Sequence, residues 1–234
     1  MDIKNVLFDL DGTLLPMDME AFTNGYFGLL TQKLVPRGYD PKKLIDAIWA
    51  GTAAMVGNDG GRTNEAAFWA KFAQIFGEEA LADQPLFEEF YAVEFQRARE
   101  FCGFDPKAAQ AVRAVKASGR RVVLATNPIF PAVATRSRLS WVGLEPSDFE
   151  LVTTYENSRF CKPSVGYYRE ILEQLDMEPR ESLMVGNDTT EDTAAAELGM
   201  GVFLIDACLI DKAGKGADAW PHGGFDDLVR FLRG

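Results

Sequence analysis

The sequence predicts a doubly wound α/β fold, in which helices cover both faces of a parallel sheet. Short runs of Val, Leu, Ile and Phe recur along the chain, and amphipathic helical stretches separate them. Apolar runs of this kind are typical of strands that are buried on both faces. The chain has 234 residues, enough for one such domain with a sizeable insertion.

The apolar runs predict five strands, in order residues 5–8, 121–125, 150–152, 182–185 and 201–205. Helical periodicity after the second strand predicts helices over residues 131–142, 163–175, 190–198 and 226–232. This alternation of strand and helix is the pattern of consecutive βαβ units.

The interval between the first and second strands breaks this alternation. It is rich in helix formers and aromatic residues, and its periodic segments cover residues 21–34, 41–55, 64–76 and 85–101. Roughly ninety residues are far too many for a βα loop, which rarely exceeds about a dozen. We therefore expect an α/β core over residues 1–15 and 105–234, with an inserted helical domain over residues 16–104.

The composition excludes several classes of function. A formal charge of -11, from 24 Lys and Arg against 35 Asp and Glu, argues against nucleic acid as a partner, because phosphate contacts need clustered cations. No apolar run approaches the ~18 residues of a membrane helix, and none at the N-terminus reads as a signal peptide. The three cysteines form no CxxC pair, so neither a zinc site nor a disulfide framework is expected. We expect a cytoplasmic protein, and the sequence does not predict its oligomeric state.

The single histidine, His222, lies in a Trp-Pro-His-Gly-Gly turn and is interpreted as a solvated loop residue. A Ser-His-Asp or Cys-His mechanism would have to use this residue. Both mechanisms are therefore disfavoured.

Two carboxylates mark the end of the first strand, where Asp9 and Asp11 flank Leu10 and Gly12 turns the chain. Neighbouring carboxylates repel each other unless a cation lies between them, and hard oxygen ligands suit Mg²⁺. Turn formation alone would explain Asp11 and Gly12, but Asp9 still belongs to the strand. The pair therefore favours a catalytic site.

Polar residues also follow the other strands. Thr126 and Asn127 follow the second strand, Lys162 comes after the third, and Asp188 and Asp192 follow the fourth. The carboxyl ends of parallel strands share one edge of the sheet, where ligands bind. We therefore expect these side chains to converge, and together they would hold a metal ion and a phosphoryl group.

Each of these residues also has a structural alternative. Thr126 and Asn127 could form an ordinary turn, Asp188 could be a helix N-cap, and Asp192 could be a favourable first-turn acid.

Lys162 precedes a helix whose first turn is predicted at Pro163, and a cation is unfavourable at that end. We therefore expect an anion beside Lys162 in preference to an exposed lysine.

This set of residues resembles the haloacid dehalogenase-like (HAD) hydrolase superfamily. The matching motifs, in order, are Asp9-Leu10-Asp11-Gly12-Thr13, Thr126, Lys162 and Gly186-Asn187-Asp188 with Asp192. The helical insertion that follows the first motif resembles the cap of the phosphoglycolate phosphatase and β-phosphoglucomutase branch. The resemblance implies a Rossmann-like core with an inserted helical cap domain.

The resemblance also implies roles for the acids. Asp9 would attack phosphorus and form an aspartyl-phosphate. Asp11 would protonate the leaving oxygen and then activate water. Mg²⁺ would be bound by the Asp9 carboxylate, the Asp11 main-chain carbonyl and Asp188.

The remaining residues would serve the phosphoryl group and the substrate. By resemblance, Thr126, Asn127 and Lys162 would hold the phosphoryl oxygens, and Asp192 would position Lys162 or the water shell of the metal. Arg62, in a glycine-rich polar loop of the insertion, could bind a second anionic group of the substrate. An ordinary inter-helix turn is the alternative for that loop.

Asp11 also distinguishes branches of the superfamily, because its dehalogenases typically lack an Asp at this position. Phosphonatases use a cap lysine, and the lysines of this insertion are expected on solvated helix faces. The expected activity is Mg²⁺-dependent hydrolysis of a small phosphorylated metabolite. The alternatives are a sugar phosphomutase with the same residues, a dehalogenase or phosphonatase, and a binding protein without activity.

Overall fold

The computed structural model describes residues 2–212, 214 and 216–234, and five strands in it form one parallel sheet of order β2-β1-β3-β4-β5. The strands are β1 (Asn5–Phe8), β2 (Arg121–Leu124), β3 (Ser182–Gly186), β4 (Gly201–Ile205) and β5 (His222–Gly223). Successive strand residues enter opposite clusters. Val6 and Phe8 of β1 belong to one cluster of buried apolar side chains, and Leu7 belongs to the other. Both faces of the sheet are therefore covered, which confirms the predicted doubly wound fold.

The described residues also contain eight α-helices. Four lie between β1 and β2: α1 (Met19–Leu34), α2 (Pro41–Val56), α3 (Asn64–Phe76) and α4 (Gln84–Ala92). The others are α5 (Pro106–Ala117), α6 (Ala132–Trp141), α7 (Val165–Gln174) and α8 (Phe225–Phe231). None of the helices in these ranges is long and apolar enough to cross a membrane.

The helices of the insertion begin where the sequence supplies a cap. The side chains of Asp18, Asp40 and Thr63 each accept a hydrogen bond from a main-chain N–H in the first turn of α1, α2 and α3. Such caps satisfy N–H groups that have no partner within the helix. The predicted helix over residues 85–101 is divided, because α4 ends at Ala92 and a 3₁₀ helix, Glu94–Phe101, follows it.

The insertion shares an apolar cluster with the sheet. Phe22 and Leu30 of α1 and Phe72 of α3 belong to the same cluster of buried side chains as Val6 and Phe8 of β1. The division of the chain into a core and a cap at residues 16 and 104 stays a prediction.

Three further predicted elements differ in the structure. Residues 150–152 form only a single bridge, Val152 to Leu124, beside β2. The predicted helix over 190–198 is a 3₁₀ helix, Thr193–Leu198. Helix α7 begins at Val165 and not at the predicted residue 163, because the side chain of Ser164 caps it by accepting the Gly166 N–H.

The strand β5 was not predicted, and the turn assigned to His222 is an edge strand that pairs with Leu204 of β4. The ring nitrogen Nδ1 of His222 lies 2.9 Å from a carboxylate oxygen of Asp206.

Candidate active site

Asp9 lies at the carboxyl end of β1, beside β3. Its main-chain N–H donates to the carbonyl of Val185, at 2.8 Å, so β1 and β3 hold their following loops side by side. The Asp9 side chain is 6% exposed in this position. A carboxylate at this depth requires partners of its own.

Lys162 supplies one of those partners. Its Nζ donates to Oδ1 of Asp9 at 2.8 Å and to Oδ1 of Asp192 at 2.7 Å. Lys162 and Asp192 are each 1% exposed. The anions beside Lys162 are therefore carboxylates of the protein itself, and an exposed lysine is excluded. The argument from a helix end was wrong for this residue, because α7 begins only at Val165.

Asp192 also organises the loop after β3. Its Oδ2 accepts the main-chain N–H groups of Asn187 and Asp188, each at 2.9 Å. The loop must pass close to this side chain, since a Cβ atom on Gly186 would lie 2.1 Å from the carboxylate carbon of Asp192. Asp192 thereby ties Lys162 to the segment that carries Asp188.

Burial, together with the charges of Asp192 and Asp11, raises the pKa of Asp9 to about 7, although Lys162 opposes this change. Burial alone would lower the pKa of Lys162, but the carboxylates of Asp192 and Asp9 outweigh burial and hold that pKa well above its ordinary value. The ammonium group therefore keeps its charge, and it favours the ionised form of Asp9.

Thr13 links the first motif to the last. Its hydroxyl lies 3.0 Å from Oδ2 of Asp9 and 3.0 Å from Oδ1 of Asn187. The Asn187 amide is oriented by its N–H, which donates to the Cys208 carbonyl at 2.6 Å. Gly12 permits this approach, because its φ is +84° and a Cβ atom there would lie 2.3 Å from the Asn187 amide nitrogen.

Asp11 contacts a residue that the sequence analysis did not select. Its Oδ2 forms an ion pair with the guanidinium of Arg138 in α6, and its Oδ1 is buried without a hydrogen-bond partner among the described residues. Arg138 is fully buried, and its guanidinium carbon lies 4.4 Å from the centre of the Phe130 ring. The signal in the sequence is its spacing, since Arg138 falls one helical turn after the apolar Ala134 in the predicted helix over residues 131–142.

Thr126 and Asn127 follow β2 and have partners in the protein. The main-chain carbonyl of Thr126 accepts from the hydroxyls of Tyr167 and Thr153, each at 2.8 Å. The Asn127 amide donates to Glu191 at 3.1 Å, and its oxygen accepts the main-chain N–H of Lys162 at 3.3 Å. These contacts hold both residues in place, and the one to the Lys162 N–H joins Asn127 to the segment that carries Lys162.

Glu191 was likewise not selected. Burial, together with the charges of Asp192 and Asp188, raises the pKa of Glu191 to about 7, although Lys162 opposes this change. It is a second carboxyl group at this edge that resists ionisation.

Asp188 accepts the main-chain N–H groups of Thr190 and Glu191 with Oδ1, at 2.7 and 2.9 Å. One oxygen of Asp188 thus stabilises the turn that follows it, but Asp188 is not the helix N-cap of the alternative, because the next helix is the 3₁₀ helix Thr193–Leu198 with Asp192 as its N-cap. In the part of the chain that the structure describes, no three His, Cys, Asp or Glu side chains lie close enough together to hold a metal ion by themselves.

Arg62 is exposed, and within the described ranges no hydrogen bond or ion pair joins its side chain to the residues above. Its substrate-binding role stays a prediction. The neighbouring Asn64 is fully buried instead. Its amide donates to the carbonyls of Pro128 and Phe160, each at 3.2 Å, so it connects the insertion to the loops that carry Asn127 and Lys162.

The model of the haloacid dehalogenase-like hydrolase family matches residues 3–199. The chain belongs to this family. This membership confirms the resemblance inferred from the four motifs.

Individual relatives differ in activity. Glyceraldehyde 3-phosphate phosphatase of Methanothermobacter thermautotrophicus is 27% identical over 143 residues, and the match spans 58% of this chain and 58% of that enzyme. A 2-haloacid dehalogenase of Pseudomonas syringae pv. tomato has a TM-score of 0.63 and 18% identity, covering 99% of this chain and 98% of that one. A HAD phosphatase of Thermococcus onnurineus has a TM-score of 0.59 and 21% identity, covering 98% of each chain. At these identities the two structures share the fold with this chain.

Proposed function

We propose that this protein is a Mg²⁺-dependent phosphatase that hydrolyses a small phosphorylated metabolite through an aspartyl-phosphate on Asp9. The observation that carries the proposal is the buried arrangement of Asp9 against Lys162, with a second acid, Asp11, two residues further on. A nucleophilic carboxylate and a separate acid-base group are what two-step phosphoryl transfer requires. A displacement of halide from carbon needs no group to protonate the leaving atom, so Asp11 favours a phosphate ester as substrate.

In the first step a carboxylate oxygen of Asp9 attacks phosphorus, and the bond from phosphorus to the leaving oxygen breaks. Asp11 gives its proton to that oxygen. In the second step Asp11 takes a proton from water as the water attacks phosphorus, and the bond between phosphorus and Asp9 breaks. Lys162 balances negative charge on the nucleophile and on the transferring phosphoryl group.

The donor set fits a hard divalent cation. Asp9, Asp11, Asp188 and Asp192 bring more negative charge to this edge than Lys162 and Arg138 balance, and Oδ1 of Asp11 is buried without a partner in the described residues. Mg²⁺ commonly takes one or two carboxylates and completes its shell with water and phosphate oxygens. Asp9, the Asp11 carbonyl and Asp188 would hold it. When bound, the ion would neutralise charge on the phosphoryl group.

The test is phosphate release from a panel of small phosphorylated metabolites, measured with Mg²⁺ and with EDTA. Asp9→Asn should abolish release, because an amide is a poor nucleophile. Asp18→Asn is the matched control, since Asn also caps a helix and the charge change is the same. Substantial release by Asp9→Asn would exclude Asp9 as the nucleophile, and equal release in EDTA would exclude the metal.

The intermediate is tested separately. Borohydride reduces an acyl phosphate to an alcohol, so trapping during turnover should convert Asp9 to homoserine, which peptide mass spectrometry detects. Unmodified Asp9 under conditions of rapid turnover would argue for direct attack by water. A phosphomutase would instead return the phosphoryl group to a sugar and would require a bisphosphate activator.

A further inference from the structure

An apolar cavity of about 160 Å³ lies where the helical insertion meets the loops at the edge of the sheet. Ten of its sixteen wall residues are aromatic, and no wall residue carries a charge. The hydroxyls of two wall residues, Tyr26 and Tyr91, form a hydrogen bond with each other at 2.8 Å. Neither hydroxyl therefore needs a ligand as its hydrogen-bond partner. This wall suits an apolar group and offers little to an ionic one.

Three segments that carry catalytic candidates continue into the wall. Helix α1, which follows Asp11 and Thr13, supplies Phe22. The segment after Thr126 and Asn127 supplies Phe130, and the segment before Lys162 supplies Tyr155. The N–H of Tyr155 donates to the Phe130 carbonyl at 3.1 Å, which joins the latter two segments. The cavity therefore lies over the same edge of the sheet as the candidate active site.

Contacts lead from the cavity to Asp11. The Phe130 ring lines the cavity and stacks on the guanidinium of Arg138, at 4.4 Å. Arg138 forms the ion pair with Asp11. In the proposed function Asp11 protonates the leaving oxygen. The leaving group, which is the part of the substrate bonded to that oxygen, therefore lies on the side of the site that faces the cavity.

We infer that the cavity receives the leaving group of the substrate, and that this group is apolar and about the size of one aromatic ring. This inference rests on the proposed phosphatase function and narrows its substrate class. An apolar cavity of about 150 Å³ stays dry and accepts benzene, so the volume suffices for a ring. A sugar or a carboxylate would lose its hydration there without replacement hydrogen bonds.

The first experiment compares kcat/KM for ethyl, benzyl and 3-phenylpropyl phosphate and for glycerol 3-phosphate. All four release an alcohol, and the two esters that carry a phenyl ring on an alkyl chain, called aryl esters for short, place the ring at different distances from phosphorus. We expect the better aryl ester to exceed ethyl phosphate by about tenfold to a hundredfold, the range for filling an apolar pocket. Hydrolysis of all four at similar rates would overturn the inference and leave the phosphatase proposal standing.

The second experiment fills the cavity. Thr52 lines it from α2, whereas the next residue, Ala53, is exposed on the same helix. Thr52→Phe should lower the ratio of aryl to ethyl ester kcat/KM by about tenfold, and Ala53→Phe should leave the ratio unchanged. An equal ratio in both variants, with unchanged melting temperatures, would contradict the assignment of the cavity.

The third experiment does not depend on turnover. Trp49 and Trp69 line the cavity, so a ring that enters it should change their fluorescence. Titration with benzylphosphonate and 3-phenylpropylphosphonate should give a saturable change in wild type and a weaker one in Thr52→Phe, and ethylphosphonate should give none. A response without phosphatase activity would retain the cavity and refute the proposed function. No response from either aryl phosphonate would refute the cavity.

Discussion

The edge of the sheet and the aromatic cavity lie next to each other and are built in opposite ways. At the edge, the charged groups of Asp9, Lys162 and Asp192 are almost fully buried and are held at hydrogen-bond distance. The wall of the cavity contains no charge and consists mainly of aromatic rings. One region is thus defined by directed contacts and the other by shape.

The difference follows from the cost of burial. A buried charge without a partner costs several kcal/mol, so each group at the edge depends on the others and on the loops that hold them. Apolar contacts are non-directional, so the cavity wall can change its side chains and keep its character. We expect substitutions at the edge to remove activity, and substitutions in the cavity to alter which substrate is preferred.

The largest effect should come from Lys162→Met, which leaves Asp9 and Asp192 buried without their cation. We expect a loss of ~3–5 kcal/mol in the free energy of unfolding and no measurable phosphate release. Urea unfolding and the phosphate assay measure the two effects. The control is Lys4→Met, because Lys4 also pairs with a carboxylate, Glu181, at 2.6 Å but is exposed, and an exposed pair contributes little to stability. Similar losses of unfolding free energy in both variants would contradict the view that the buried ion pairs matter more than the surface pair.

Arg138→Met should have a somewhat smaller effect, because Asp11 retains some exposure, 19% of its side chain. We expect a loss of about 2–4 kcal/mol in the free energy of unfolding together with a lower kcat. Arg138→Lys should recover part of the kcat, since it restores a cation near Asp11. Arg136→Met, on the exposed face of the same helix, is the control. A normal kcat in Arg138→Met would show that Arg138 only fills space.

Glu191→Gln tests the raised pKa of Glu191. Its folded-state pKa of about 7 lies above the ordinary 4.5, so the folded state binds more protons between these values and loses stability as the pH rises through them. The variant avoids this loss. In EDTA it should gain ~1–2 kcal/mol over wild type at pH 8 and little at pH 4. Asp9 contributes equally to both proteins, so a pH-independent difference would contradict the assignment.

The smallest effect is expected in the cavity wall. Tyr26→Phe removes one of two hydroxyls that bond to each other and should cost about 1 kcal/mol of unfolding free energy. The double variant with Tyr91→Phe should cost no more than the single one, because neither hydroxyl is then left alone. Urea unfolding of the singles and the double forms a complete cycle. Additive losses would mean that each hydroxyl has another partner.

Much of the architecture was predictable because the strands are local patterns. The runs at residues 5–8 and 201–205 are strands in the structure at those positions. The strand predicted at residues 150–152 was wrong, because these three residues lie beside β2 and make only one bridge to it. The α-helix predicted over residues 190–198 was also wrong. The carboxylates of Asp188 and Asp192 accept hydrogen bonds from main-chain N–H groups of the turn at residues 188–191, and the helix begins only after this turn.

The sequence by itself determined the α/β fold, the family and the order of Asp9, Asp11, Thr126, Lys162 and Asp188 along the chain. These depend on residue spacing, which a single chain displays. Only the tertiary structure decided which carboxylates neutralise Lys162, and that Arg138 is the partner of Asp11. It also decided that aromatic residues from helices α1 to α4 and from two loops enclose one cavity. These contacts join residues from 30 positions apart, as with Lys162 and Asp192, to 127 apart, as with Asp11 and Arg138, and only packing brings such side chains together.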